Sequence, residues 1–267
     1  MSESSQNTLR NPALERMRAG DVALGMVVRL GRSGDIARIA GSTGHDFVFI
    51  DTQHALFGLE TIGHITQAAL GCGVTAIVRT RGWDDPDTSL LLDNGVMGIV
   101  VPDVSTADQA RAAVATCKFA PVGARSVSGG YPMFDFRAVP LAESVPELND
   151  KTLVICMIET VEGLNNIEEI AAVPGVDVLH IGCNDLLMNM GLPGAFGSPP
   201  IMAAMEKIIA AANRNGKFAG LGGDRDPGRQ AHFIRQGVKF VTTQTDIAML
   251  SAEATRRTQA LRAAIKT

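Results

Sequence analysis

Aromatic residues make up only 4% of the 267, with one Trp and one Tyr. Proteins that bind single-stranded nucleic acid stack bases on such rings, so that class of partner is a poor fit. Charge of one sign is lacking too: 24 Lys and Arg stand against 28 Asp and Glu, a net −4. That leaves no basic face for a phosphate backbone or an anionic membrane surface. The four cysteines (Cys72, Cys117, Cys156, Cys183) are far apart and form neither a CxxC pair nor a zinc-knuckle spacing. Cys156 lies inside an apolar run and reads as a reduced core residue, which suits the cytoplasm. No apolar run reaches the length of a membrane span. The opening MSESSQNTLRN has no apolar signal region. With nucleic acid and membrane set aside, small-molecule chemistry remains.

What the chain does have is apolar residues, 46% of the total. They gather in eight short runs: 25–30, 46–51, 75–80, 97–104, 152–159, 176–182, 217–223 and 239–246. Four to eight apolar residues without alternation describe a strand buried on both faces, as in a parallel sheet. Helical stretches separate the runs. Asp85-Pro86 opens one that Asn94-Gly95 closes. Thr106 with Gln109 forms a capping box before a stretch ending near Lys118. Ser198-Pro199 and Asp226-Pro227 open two more, ended by Gly216 and Gly237. The alternation predicts one closed (β/α)8 TIM-type barrel domain over residues 1–267, with a doubly wound open sheet as the alternative. Residues 121–150 read as a long loop, and long loops in compact domains tend to be functional or disordered. The last stretch, 247–267, reads as an amphipathic helix. Its Ile247, Leu250, Ala254 and Leu261 fall at helical spacing, ready to close the barrel or pack on another subunit.

In such barrels chemistry sits where the strands end. The second run ends in Asp51-Thr-Gln-His54, the third in Arg79, the fifth in Glu159, and the sixth in Gly182-Cys-Asn-Asp185. No run ends in lysine, so there is no Schiff-base candidate. Glu159 and Asp185 are 26 residues apart, about one β/α unit, which puts them on adjacent strands. Facing carboxylates repel unless one is protonated or a cation separates them. Either they hold a divalent metal through oxygen, or each pairs with a lysine or arginine. Asp51, three residues before His54, is placed to fix the imidazole tautomer and raise its basicity, as a general base needs. Arg79 offers a fork for a carboxylate or a developing oxyanion, with a rim ion pair as the other reading. The backbone of 182–185 suits an anionic group. GLGGD (220–224) reads as a tight turn or a close approach to ligand, without a basic residue for a phosphate grip. His45, His64, His180 and His232 read as structural.

In combination and in order, IDTQH, the VRT strand end, GARSVSGG, MIET-x-EG and IGCNDL-x-x-x-MG resemble the 4-hydroxy-2-oxoheptanedioate and 2-dehydro-3-deoxyglucarate aldolases. The resemblance runs from about Asn11 to the last helix. It implies a class II pyruvate aldolase on a modified barrel, with the last helix exchanged between subunits of a hexamer, a trimer of dimers. It implies that Glu159 and Asp185 hold a divalent metal (Mg²⁺, Mn²⁺ or Co²⁺), that His54 is the base for the aldol hydroxyl, and that Arg79 stabilises the enolate oxygen. Asp93 matches the aspartate that reaches a neighbouring subunit's histidine. Met157, Gly182, Asn184 and Asp185 fall where the 2-oxo acid is held. Thr52 and Gln53 stand where the family carries Gly-Glu, Met157 where it carries glutamine, and Cys183-Asn184 where it carries Pro-Ala. The substrates implied are a pyruvate or hydroxypyruvate unit and an aldehyde. The same enolate spent on oxaloacetate decarboxylation or another condensation is the alternative, and a non-catalytic binding barrel comes last.

Overall fold

In a computed structural model of the chain, which describes residues 9–266, eight parallel strands close into a barrel in sequence order. They are β1 (Ala23–Val28), β2 (Phe47–Asp51), β3 (Thr75–Arg79), β4 (Gly98–Val101), β5 (Leu153–Ile158), β6 (Val178–Gly182), β7 (Phe218–Gly222) and β8 (Val238–Thr245). Each matches one apolar run of the sequence, and the open-sheet alternative is excluded by the β1–β8 pairing. Helices between the strands cover the outside. The capping box at Thr106 and Gln109 forms as expected. Asp226 caps its helix through Arg229 N–H, with Pro227 in the first turn. Gly216 and Gly237 take positive φ just past two helix ends, where an L side chain is strained.

Side chains alternate across a strand with period two, and this decides what reaches the mouth. Val48 and Ile50 of β2 face the helices, whereas Phe47 and Phe49 fill the barrel interior. The interior cluster also holds Val27, Ile77, Val100, Leu153, Ile155, Met157, Val178 and Phe240. Phe47 stacks on Phe240 with ring centroids 4.3 Å apart, and a Cβ at Gly25 would overlap the Phe47 ring, so β1 needs a glycine there. Continuing each interior row by two residues gives Arg29, Asp51, Arg79, Glu159, His180 with Gly182, and Thr242. The polar mouth is thus the top layer of the apolar core.

The other end is plugged by helix Pro12–Arg18, whose Ala13, Leu14 and Met17 join the interior cluster. Residues 121–150 are not one long loop. A 3-10 turn forms at Pro132–Phe134 and an α-helix at Leu141–Lys151. Pro146 lies inside that helix, where it removes one N–H without ending the element. The final helix, Asp246–Ile265, stands off the barrel: Ile247, Leu250, Leu261 and Ile265 are 42–75% exposed. No helix among the described residues is long and apolar enough to cross a membrane.

Candidate active site

The mouth opens into a cavity of about 310 Å³. It brings together Asp51, His54, Arg79, Met157, Glu159, Gly182, Asn184 and Asp185, all singled out from the sequence. Asp93 is not among them. It ends helix Thr88–Asp93 just before β4 starts, at the opposite end of the barrel, and pairs with Arg125 at 2.5 Å.

Asp51 and Arg79 face each other because β2 and β3 pair in register at these two residues. Arg79 Nε donates to Asp51 Oδ1 at 3.0 Å and Nη2 to Oδ2 at 2.8 Å, a bidentate fork. Arg29 Nε lies 3.4 Å from the same carboxylate, and the N–H groups of Gln53 and His54 donate to Oδ1 at 3.2 Å. Burial works against the Asp51 anion, yet the Arg79 contact holds its carboxyl below the usual range. Asp51 therefore does not serve His54 as a tautomer-fixing partner, which corrects the sequence expectation. Its lone pairs are spent on the Arg79 guanidinium and the backbone of the 51–54 turn. It positions His54 through the main chain, aided by Arg29 Nη2 donating to the His54 carbonyl at 2.8 Å. The His54 imidazole itself lies exposed at the rim. Arg79 keeps Nη1 with only the Met157 thioether, at 3.8 Å.

Across the mouth, Glu159 is 3% exposed, and its Oε1 accepts the Asp103 N–H at 2.8 Å. Its other oxygen packs on Gly182, where a Cβ would overlap it. Burial, with Asp103 and Asp185 adding like charge, pushes the Glu159 carboxyl up to about 7. No ion pair to either Glu159 or Asp185 occurs among the described residues, so the lysine-or-arginine reading of this pair is not what forms. Asp185 is not in a loop: it occupies the first turn of helix Cys183–Asn189, which starts directly from Gly182. Gly223, at φ 91°, approaches this turn so closely that a Cβ would stand 3.1 Å from Asn184 N.

Two residues of the cavity were missed. His180 is 1% exposed and projects from β6 into space left by Gly220 and Gly222 on β7, where a Cβ would come within 2.7 Å of its ring. Burial, then Arg79 and Arg225, brings its pKa down to about 3, so it is neutral. A Gly-x-Gly on the next strand was the available signal. Arg225, immediately after GLGGD, lines the same cavity and supplies the basic residue that segment was expected to lack.

A closed parallel (β/α)8 barrel whose mouth combines a buried glutamate, an exposed aspartate just past the next strand, a locked arginine and a rim histidine is the architecture of an enzyme acting on small molecules. The sequence profile described as HpcH/HpaI aldolase/citrate lyase matches residues 25–252, and the chain belongs to that family. It is 37% identical over 253 residues to a 4-hydroxy-4-methyl-2-oxoglutarate aldolase of Chaetomium globosum, covering 91% of this chain and 92% of that one. A hydroxypyruvate/pyruvate aldolase of Sagittula stellata is 32% identical, with 90% and 94% covered. The crystal structure of an HpcH/HpaI aldolase from Desulfitobacterium hafniense superposes with a TM-score of 0.89 at 30% identity, covering 93% and 96%. The protein is a carbon–carbon lyase of that aldolase family.

Proposed function

We propose that this aldolase cleaves and forms 4-hydroxy-2-oxo acids through the enolate of pyruvate or hydroxypyruvate, releasing or adding an aldehyde or ketone. The observation that carries this is a carboxylate pair, the buried Glu159 and the exposed Asp185, without a counter-cation among the described residues, facing an arginine that Asp51 locks in place. Glu159 and Asp185 fit a divalent cation, Mg²⁺, Mn²⁺ or Co²⁺: both are oxygen donors, and together they leave most positions to water and substrate. Such an ion supplies Lewis acidity to the 2-oxo group.

The chain's own residues do the rest. Arg79, with Nε and Nη2 committed to Asp51, presents Nη1 to the oxygen on which negative charge develops, at no cost in reorganisation. Gly182 leaves room for the Glu159 carboxylate, and Gly223 leaves open the backbone at Asn184 for the substrate carboxylate. Met157 packs beside Arg79. His54, at the rim, takes the proton of the hydroxyl in cleavage and returns it in synthesis. Four free thiols, three of them buried, suit a reducing cytoplasmic setting.

The test isolates enolate formation. With no carbonyl partner present, the enzyme exchanges the methyl protons of pyruvate with D₂O, followed by NMR. Chelation stops the exchange and a divalent metal restores it. Arg79→Ala slows it roughly 10²–10³-fold, the usual cost of one preorganised oxyanion donor. Arg79→Lys recovers only part, lacking the planar fork. Metal-loaded enzyme that exchanges no faster than buffer rules out pyruvate as the nucleophile.

The exposed apolar positions of the final helix support a second element of this reading: the helix packs on another subunit of a homo-oligomer, a hexamer built as a trimer of dimers, within which Asp93 approaches a neighbour's His54. A chain truncated after Asp246 sediments as a smaller species than the full chain. A truncated chain that keeps the full assembly removes the helix from the interface.

A further inference from the structure

The cavity contains one cation that this chemistry does not use. Arg225 lies just past β7, half-buried in the wall, four strands around the barrel from Arg79 and therefore across the mouth from it. Its Nη1 donates to both the backbone carbonyl and the Oγ1 of Thr242, the latter at 2.8 Å, which fixes the guanidinium plane. No carboxylate pairs with it among the described residues. The neighbouring Asp224 is already held by Arg229, with Nη2 at 2.8 Å. An arginine stays charged even when partly buried, so its remaining nitrogens call for an anion from outside the chain.

The charges around the cavity point the same way. Three arginines (Arg29, Arg79, Arg225) and three carboxylates (Asp51, Glu159, Asp185) line it, and His180 is neutral. Once a divalent cation balances Glu159 and Asp185, Asp51 has two arginines to itself and Arg225 has none. Among these lining groups two positive charges then exceed the negative ones, and the exposed Asp103 adds its charge at Glu159 rather than at Arg225. The carboxylate of a 2-oxo acid meets one of them. A second single negative charge, that of a carboxylate rather than a doubly charged phosphate, meets the other.

We propose that Arg225 is a specificity-determining residue that receives a second carboxylate, carried on the half of the 4-hydroxy-2-oxo acid that leaves as the carbonyl product. This rests on the aldolase reading above and names the substrate feature that its far wall selects. Thr242 is the positioning residue, holding Arg225 against the β8 wall. His180 borders the subsite and adds hydrogen-bonding capacity without adding charge.

Binding of uncleavable probes tests this apart from catalysis. In calorimetry with metal-loaded enzyme, 2-oxoglutarate binds on the order of a hundredfold more tightly than 2-oxobutyrate, the scale of a desolvated charge pair. Arg225→Gln collapses that ratio toward one, Arg225→Lys keeps part of it, and Thr242→Val reduces it less than Arg225→Gln does. The wild-type comparison needs no variant, so a misfolded mutant leaves the question answerable. Equal affinity of the wild-type enzyme for the two acids overturns the assignment, and so does an Arg225→Gln enzyme that keeps the wild-type ratio. Proton exchange from pyruvate, measured on the same sample, reports on the aldolase reading alone. An enzyme that exchanges but does not discriminate loses only the subsite, and one that discriminates but does not exchange loses only the enolate chemistry.

Discussion

The two ends of this barrel treat polar groups in opposite ways. At the end where the strands begin, the buried side chains of Lys118 and Asn11 have partners throughout, although Nε and Nη1 of the buried Arg125 have none. Lys118 Nζ donates to the carbonyls of Asn149 and Thr152 and lies 3.2 Å from Asp177, whose carboxylate also accepts the Val154 N–H at 2.8 Å. Asn11 uses both ends of its amide. At the end where the strands finish, Glu159 and Asp185 repel across a cavity, Arg225 faces inward without an anion, and the His180 Nδ1 has no partner. For the buried members, Glu159 and His180, this costs free energy, because burial strips water and returns little. The closed end holds the barrel together, and the open end gives up stability for sites that a ligand and a metal complete. At the mouth, Asp51 with Arg79 behaves as charges do at the base, as does Asp224 with Arg229 beside it, and the Asp51–Arg79 pair can therefore serve as fixed scaffolding for chemistry.

The sharpest way to break this comparison is to titrate the mouth. The Glu159 carboxyl is raised to about 7 from an ordinary value of 4.5 by burial and by Asp103 and Asp185. A carboxyl raised in the folded state binds more protons folded than unfolded between those two values. Its contribution to stability is therefore complete below about pH 4.5 and is lost as pH climbs through 7. Metal-free protein should become less stable over that window, by at most about 3 kcal/mol from this group. Glu159→Gln removes the dependence, so the variant gains on the wild type as pH rises. Adding divalent metal above pH 7 restores the wild type and not the variant. Urea denaturation at several pH values, with and without chelator, measures this directly. Identical pH slopes for the two proteins would mean that the Glu159 carboxyl is solvated rather than buried against Asp185.

Much of the open end was legible because strand periodicity is a local property. Once 46–51 and 152–159 read as buried strands, Asp51 and Glu159 had to emerge at their ends, inside the barrel. The capping box at Thr106 was visible for the same reason, since three residues of sequence specify it. What stayed hidden depends on distant chain segments. That Asp51 serves Arg79 rather than His54 follows from the β2–β3 register, 28 residues away. His180 read as structural because the room for its ring is made by glycines on the next strand. Arg225 fell one residue beyond a run that looked complete at GLGGD. The helix over Leu141–Lys151 was masked by Pro146, whose missing N–H costs a hydrogen bond that packing on the barrel outweighs.

The closed end offers the smaller effect and the complementary test. Asn11 is fully buried at the start of helix Pro12–Arg18. Its Oδ1 accepts from Leu14 N–H at 3.1 Å and from the Thr75 hydroxyl at 2.9 Å, while Nδ2 donates to the carbonyls of Met97 at 3.2 Å and Lys151 at 2.7 Å. One side chain thus caps the plug helix and ties it to the starts of β3, β4 and β5. Asn11→Ala deletes the cap, typically worth about 1 kcal/mol, and removes the side-chain donor from the carbonyls of Met97 and Lys151. The expected loss is about 2 kcal/mol in urea denaturation. Asn11→Asp keeps the cap but loses the two carbonyl contacts and buries a charge, so it should cost no less than alanine. Neither change touches the mouth, which lies a strand's length away. Variants assayed below their unfolding transition should therefore keep the metal affinity and pyruvate exchange rate of the wild type. A loss of exchange in proportion to the loss of stability would show that the two ends are mechanically coupled, and that the mouth depends on the plug for its geometry.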